Sequence, residues 1–233
     1  MGKRIISQAR GKGSLTYRVR KKAFRYRVGY PIHEGEADIL KILHSPAHSA
    51  PLLKMKIANE IFYNSAFNGA VEGSKISIGG DKLKEGNIIS LKEIPITTRI
   101  FNIERNPGDG GKMMRSAGSS AILNKKYDYG KVGVMLPNKK EIKLDENCRA
   151  TIGIIAGDGR KQKPFVKAGR KFYKMKAKSK LWPRVSAVSV NVVDHPFGSG
   201  RGKNVKSKTA KRNAPPGARV GHLRPRRTGR KKR

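Results

Sequence analysis

The sequence contains little cysteine, no long apolar run and few acidic residues, and each shortage narrows what the protein can be. Cys148 is the only cysteine among 233 residues, which excludes intrachain disulfides and multi-cysteine zinc sites. No apolar run approaches the ~18 residues of a membrane-spanning helix. Residues 1–7 lack the apolar core of a secretion signal. We therefore expect a soluble, intracellular protein that does not span a membrane.

The shortage of acids leaves a large positive charge. The chain has 16 Asp and Glu against 53 Lys and Arg, for a net charge of +37. A compact fold with this charge repels itself unless a polyanion neutralises it. Nucleic acid is the usual partner, because its phosphates are dense and each contact releases counterions. An acidic membrane surface is the alternative.

The positive charge is concentrated at the two ends of the chain. Residues 1–30 contain ten Lys or Arg and no acid, whereas residues 31–158 contain 18 bases and 15 acids. Residues 159–233 contain 25 bases and a single acid, Asp194. The segment 201–233 has 14 bases and too few apolar residues to offset its ordering entropy. These ends are predicted to be arms that fold on RNA, the alternatives being a disordered tail or a localisation signal.

The middle of the chain has the pattern of short β-strands. Within residues 35–158, apolar and polar residues alternate in many pieces, for example at Leu53, Met55 and Ile57. This period of two is typical of strands with one buried face. Residues 131–144 predict a hairpin, because two alternating stretches flank a turn at Pro137-Asn138-Lys139-Lys140.

The strand clusters predict either two small barrels or one sandwich. The segment Leu91–Thr98 separates two clusters of about 60 residues each, which suits an oligonucleotide-binding-type barrel followed by an SH3-like barrel. A single sandwich has the same spacing of strands and turns. The pattern of the strands does not distinguish the two architectures.

A glycine-rich segment, Asn106–Lys112, has two interpretations. It resembles a phosphate-cradling loop, but it lacks the Gly-Lys-Ser/Thr ending of a nucleotide-binding P-loop. The favoured interpretation is a wide turn between strands. Lys112 and Arg115 beside it could still approach an RNA backbone.

Asp194 and His195 form the most unusual pair in the chain. An Asp next to a His suggests a proton-transfer dyad. No nucleophile or oxyanion-hole motif accompanies the pair, and His222 is too far along the chain to predict a metal site. The favoured interpretation is a Pro/Gly-rich loop held against RNA, with hydrolysis or acyl transfer as the rival hypothesis.

Motifs along nearly the whole chain carry a resemblance to a known family. They are Gly11-Lys12-Gly13-Ser14, Pro107–Lys112, Arg115–Gly118, Cys148–Thr151, Lys167–Arg170, Lys176–Lys178, Trp182–Arg184, Asp194–Gly198, Pro216–Gly221 and Arg226–Arg230. In combination they resemble the universal large-subunit ribosomal protein L-two family in its archaeal and eukaryotic-type form. Phe197 stands where bacterial members have a second His, and Ser199 interrupts the usual glycine run.

The resemblance implies an all-β fold with long irregular basic extensions at both ends. Residues 1–34 are then the N-terminal extension, 35–95 an oligonucleotide-binding-type barrel, 96–165 an SH3-like barrel, and 166–233 a C-terminal extension threaded into rRNA. The implied function is that of a non-enzymatic constituent of the large ribosomal subunit in the cytoplasm. It includes roles in subunit association, tRNA placement and the architecture of the peptidyl-transferase region.

The implied partners are large-subunit rRNA, other large-subunit proteins and the small subunit at an intersubunit bridge, with no homo-oligomer. No cofactor is expected, and Mg²⁺ would lie nearby only through rRNA. The family's much-discussed histidine corresponds to His195, which is expected to contact RNA or shape the site. The predicted RNA-binding residues are Arg10, Lys12, Arg18, Arg20, Lys21, Lys22, Lys112, Arg115, Lys167, Arg170, Lys176, Lys178, Trp182, Arg184, Asp194, His195, Phe197, Arg201, Lys203, Lys211, Arg212, Arg219, Arg226, Arg227 and Arg230.

Overall fold

The computed structural model divides into two compact units, which are described separately. One is Arg20–Arg170, and the other combines Met1–Val19 with Lys171–Arg233. The structure describes residues 13–15, 18, 20–80, 82–160, 162–198, 208–215 and 219–224.

The larger unit is built on a single ten-stranded sheet. Its strands are β1 (Gly35–Leu43), β2 (Leu52–Ile57), β3 (Glu60–Ser65), β4 (Lys75–Ile78), β5 (Ile88–Ser90), β6 (Arg99–Phe101), β7 (Ala121–Tyr127), β8 (Lys131–Met135), β9 (Glu141–Asp145) and β10 (Arg149–Ile152). Their order in the sheet is β3-β2-β1-β4-β5-β10-β6-β7-β8-β9, and neighbouring strands are antiparallel except β4 and β5. The predicted all-β class is confirmed.

The first half of the sheet closes on itself. An antiparallel bridge between Phe67 and Ile155 lies just beyond β3 and β10. It joins the two ends of the run β3-β2-β1-β4-β5-β10, which makes these strands a barrel. Leu53, Met55 and Ile57 of β2 point into its core and are buried, as their alternation predicts.

The second half of the sheet surrounds a separate core. Leu123, Val134 and Cys148 are fully buried in it. The predicted hairpin is confirmed, since β8 pairs with β9 over Lys131–Met135 and Glu141–Asp145.

Strands β5 and β6 each contribute to both cores. Successive side chains of a strand point to opposite faces, so Ile88 of β5 packs in the first core and Ile89 in the second. In β6, Phe101 packs in the first core and Ile100 in the second. Strand β10 pairs with β5 on one side and β6 on the other. The two cores therefore meet along shared strands. The domain boundaries at residues 34/35, 95/96 and 165/166 stay a prediction.

Substitution of Gly86 measures how tightly the first core is packed. Its φ is +92°, and a Cβ there would overlap the Phe67 ring. Because Ala adds both backbone strain and overpacking, Gly86→Ala should lower the unfolding free energy by about 2 kcal/mol or more. Urea denaturation of the chain measures this change.

The matched control is Gly69→Ala. Gly69 has a similar φ of +82°, but nothing lies within 4 Å of its Cβ position. Only backbone strain remains there, so the expected loss is about 1 kcal/mol. Equal losses in the two variants would contradict close packing of Phe67 against Gly86.

The C-terminal extension, predicted to be irregular, contains a helix that was not predicted. Helix α1 spans Ala168–Ala177, and none of its residues is buried. Lys174 and Lys176 lie in its last turn, where the helix dipole favours cations. Farther on, β11 (Thr209–Ala210) and β12 (His222–Leu223) form a short parallel pair. No helix among the described residues is long and apolar enough to cross a membrane.

Candidate nucleic-acid interface

Two carboxylates organise the glycine-rich loop from within. The Glu104 oxygens accept the backbone N–H groups of Gly108 at 3.3 Å and Gly110 at 3.1 Å. One oxygen of Asp109 accepts the amides of Arg105 and Asn106, and the other accepts the amide of Gly111 at 3.0 Å. The loop is therefore held rigidly by carboxylates of its own sequence.

These bonds decide between the two interpretations of the loop. The remaining amides are also used, since Asp109 N–H donates to the Asn106 carbonyl and Lys112 N–H to the Ile103 carbonyl. Residue 107 is proline and has no N–H. A phosphate would have to displace carboxylates to reach these donors. The wide turn is the interpretation that the structure supports, with the exposed Lys112 side chain at its end.

A buried ion pair fixes the base of the loop. The Glu104 side chain is fully buried, and its Oε1 lies 3.1 Å from Nη2 of Arg149. Glu104 Oε2 also accepts the Arg149 backbone N–H at 2.8 Å. Nη1 of Arg149 donates to the Pro31 carbonyl at 2.8 Å. Glu104 and Arg149 thus connect the loop, β10 and the segment that precedes β1. Neither was predicted as a functional residue, although Arg149 lies in the Cys148–Thr151 motif.

Arg115 holds the segment that precedes β1 in place. Its Nη1 and Nη2 donate to the carbonyls of Gly111 at 3.1 Å and Val28 at 2.9 Å. Burial lowers the pKa of its guanidinium. Arg115 therefore has an internal role that the sequence did not indicate, and its RNA contact stays a prediction.

Tyr30, in the segment that precedes β1, also contacts the sheet. Its hydroxyl donates to the Asn102 carbonyl at 2.6 Å and lies 2.7 Å from Oγ1 of Thr151. The Arg149 guanidinium is 5.4 Å from the centroid of its ring. Burial raises the pKa of the phenol, so Tyr30 stays neutral.

The lone cysteine has no reactive thiolate. Burial raises the pKa of the Cys148 thiol to about 11, which makes the thiol unreactive.

The Asp194–His195 pair has the geometry of a structural turn. His195 is only 6% exposed, and its Nδ1 accepts the Phe197 backbone N–H at 3.0 Å. The two rings lie 4.8 Å apart. An Nδ1 that accepts this bond carries no proton, so a neutral ring has its proton on Nε2. A proton-transfer dyad instead needs one ring nitrogen bonded to the acid and the other free to accept a proton. Asp194 is exposed, so the geometry favours a site-shaping role for His195.

The other predicted residues of the C-terminal extension lie mainly at its surface. The Lys171 ammonium is 5.6 Å from the Trp182 ring centroid, and that of Lys176 is 5.9 Å from Phe172. Arg219 Nη2 donates to the Ala214 carbonyl at 3.1 Å. Among the described residues, no group of three His, Cys, Asp or Glu could hold a metal ion.

Most of the predicted RNA-binding residues have side chains that can reach a partner. Arg115, Lys178, Trp182 and Phe197 are partly exposed. The exposed ones are Arg18, Arg20, Lys21, Lys22, Lys112, Lys167, Arg170, Lys176, Arg184, Asp194, Lys211, Arg212 and Arg219. Those outside the described residues are Arg10, Lys12, Arg201, Lys203, Arg226, Arg227 and Arg230.

Comparison with known proteins gives consistent matches. Residues 84–216 match the family described as Ribosomal Proteins L2, C-terminal domain. The chain is 44% identical to the large ribosomal subunit protein uL2 of Methanococcus maripaludis strain C5, over 99% of this chain and 100% of the relative. It is 44% identical to the protein of that name from Archaeoglobus fulgidus, covering 98% and 99%. The protein of that name from Methanoculleus marisnigri is 42% identical, with 98% of each chain covered.

Proposed function

Because the chain belongs to the uL2 family of large-subunit ribosomal proteins, we propose that it is a primary binder of large-subunit rRNA. It is a structural protein of the cytoplasmic ribosome and not a classical enzyme. The proposal extends to subunit association, tRNA placement and the architecture of the peptidyl-transferase region. Other large-subunit proteins and the small subunit are further proposed partners.

The uneven distribution of charge is the observation that carries this proposal. Residues 159–233 have 25 bases and one acid, whereas residues 31–158 have 18 bases and 15 acids. A basic segment of this kind can neutralise phosphates along rRNA and release counterions. The nearly balanced segment 31–158 instead docks by shape and by selected cations. Any Mg²⁺ at the interface would be held by rRNA, since the proposal includes no protein-bound cofactor.

A sedimentation experiment tests the proposal against a free RNA chaperone or a DNA-compacting protein. In low salt, the chain should cofractionate with large subunits at one copy per particle. Crosslinks in these particles should join the arms and the exposed Lys112 to large-subunit rRNA. A substoichiometric chain that also coats unrelated nucleic acid would favour the rival function.

His195 provides the test of a structural role against a catalytic one. We expect His195→Gln to leave the rate of peptide-bond formation unchanged in fully assembled subunits. The reason is that Nδ1 accepts the Phe197 amide, which leaves the proton of a neutral imidazole on Nε2, so neither nitrogen is a free base. Any defect should be in assembly or tRNA binding. Single-turnover rates on purified, fully assembled particles separate these outcomes, and a lost chemical step would support catalysis.

A further inference from the structure

The outer face of β1, β2 and β3 carries basic and aromatic side chains, although residues 31–158 as a whole are nearly balanced in charge. The strand register aligns Lys41 with Lys54 and Lys54 with Tyr63. In the next outward row, Lys56 is paired with Ile61, which is 48% exposed. Lys41 and Lys56 are exposed, while Lys54 and Tyr63 are partly exposed. This face is accessible within the unit and is predominantly basic.

A second aromatic ring extends this face. Tyr26 lies against Tyr63, with ring centroids 4.9 Å apart and planes inclined by 43°. The Arg25 guanidinium is 5.7 Å from the Tyr26 centroid. The segment is fixed by a parallel bridge between Val28 and Tyr63 and by Gly29 N–H donating to the Tyr63 carbonyl at 2.9 Å. The two rings are therefore held in place by backbone pairing.

We propose that this face is a stacking platform for unpaired bases of rRNA. The platform consists of Arg25, Tyr26, Lys41, Lys54, Lys56 and Tyr63, and it rests on the proposed rRNA-binding function. A base would stack on the tyrosine pair while the lysines contact the phosphates on either side. Strands 2 and 3 of oligonucleotide-binding barrels commonly bind ligands in this way. The sequence places Tyr26 among the cations of residues 1–30, a pattern that favours stacking on unpaired bases, whereas the four platform residues on the strands carry no such signal.

Charge and ring geometry identify single-stranded RNA as the occupant. Asp38 and Glu36 are the acids on the outward side of β1; Asp38 is paired with Lys56, and Glu36 forms an ion pair with Lys75. The four cations of the platform therefore leave the face with a net positive charge, which complements a polyanion better than a neutral protein surface. An aromatic platform gains little from duplex RNA, whose bases already stack on each other.

A second pair of tyrosines in the unit, Tyr127 and Tyr129, provides a contrast. The rings of Tyr127 and Tyr129 are 5.3 Å apart, but the Lys143 ammonium lies 4.6 Å and 5.6 Å from their centroids. The Tyr127 hydroxyl also donates to Glu141 at 2.6 Å. This pair is occupied by a lysine of the chain and flanked by an acid, so it serves as the control.

Photocrosslinking of the full chain tests the platform directly. The probe is a single-stranded oligouridylate with one 5-iodouridine, a nucleotide that reacts with stacked aromatic rings under ultraviolet light. A duplex of the same length is the comparator. The adduct should map to peptides containing Tyr26 or Tyr63.

Binding of the two probes to variants gives a second test. Tyr63→Leu should weaken single-strand binding about tenfold and leave duplex binding unchanged. Tyr63→Phe and Tyr127→Leu should bind both probes normally.

A second variant does not depend on replacing the partly buried ring. The double substitution Lys54→Gln and Lys56→Gln should reduce the slope of log affinity against log salt by about 1.4 for the single strand. Adducts confined to other peptides, or normal single-strand binding by Tyr63→Leu and the double variant, would overturn the platform. The platform would also be overturned if, in intact large subunits, Tyr63 crosslinked only to a neighbouring protein and not to rRNA. A wild-type chain that binds neither probe nor rRNA would instead overturn the proposed function.

Discussion

Replacing the 14 Lys and Arg of residues 201–233 with Gln should greatly reduce the salt dependence of rRNA binding. Each phosphate contact contributes about 0.7–0.9 to the slope of log affinity against log salt. If about half of these side chains contact phosphate, the slope should fall by about 5. Deleting 201–233 should have the same effect. Binding to large-subunit rRNA is measured by filter retention at several salt concentrations.

The Gln variant keeps the length and apolar residues of the segment, so it separates charge from chain length. The matched control is Lys139→Gln with Lys140→Gln, which removes charge from the exposed turn between β8 and β9. This control should change the slope by less than about 2. An unchanged slope in the 201–233 variants would show that this segment does not bind phosphate.

Glu104→Gln should destabilise the sheet unit more than any surface substitution. It removes the charge opposite Arg149 and turns an amide donor toward the backbone N–H groups that Glu104 accepts. Breaking a buried pair of this kind costs about 3 kcal/mol. The melting temperature should fall by roughly 6–12 °C. Thermal unfolding of the RNA-free chain, followed by circular dichroism, measures the change.

Two further variants show whether the buried ion pair causes the loss of stability in Glu104→Gln. Asp145→Asn removes the partly exposed partner of Lys131, which lies 3.0 Å away, and should change the melting temperature much less because water screens this pair. Arg149→Met combined with Glu104→Gln should cost less than the sum of the single changes, since no unpaired charge remains. Wild-type melting by Glu104→Gln would contradict the role assigned to this ion pair.

The predicted features that the structure confirms depend on local patterns. The alternation at Leu53, Met55 and Ile57 identified the buried face of β2, and the hairpin over 131–144 followed from two alternating stretches around a turn. Both signals lie within a few residues, where side-chain direction follows directly from backbone conformation. Helix α1 was missed because it has only 10 residues and none of them is buried, which is shorter than the window of about 11–18 residues in which a helical period is recognised.

The candidate site was less predictable than the fold. Arg115 was chosen because it is a cation beside glycines, yet its guanidinium donates to the carbonyls of Gly111 and Val28. The loop resembled a phosphate cradle, but Glu104 and Asp109 accept its amides. A sequence motif identifies which groups are present, whereas only their pairing decides which donors remain for a ligand.

The sequence by itself determined the segregation of charge, the all-β class and the family of this protein. Composition and residue alternation are properties of the chain that folding does not alter. Only the tertiary structure decided that β5 serves both cores, that Glu104 pairs with Arg149 across 45 residues, and that Tyr26 meets Tyr63. Such contacts depend on strand register and chain closure, which bring together residues that have no local relation in the sequence.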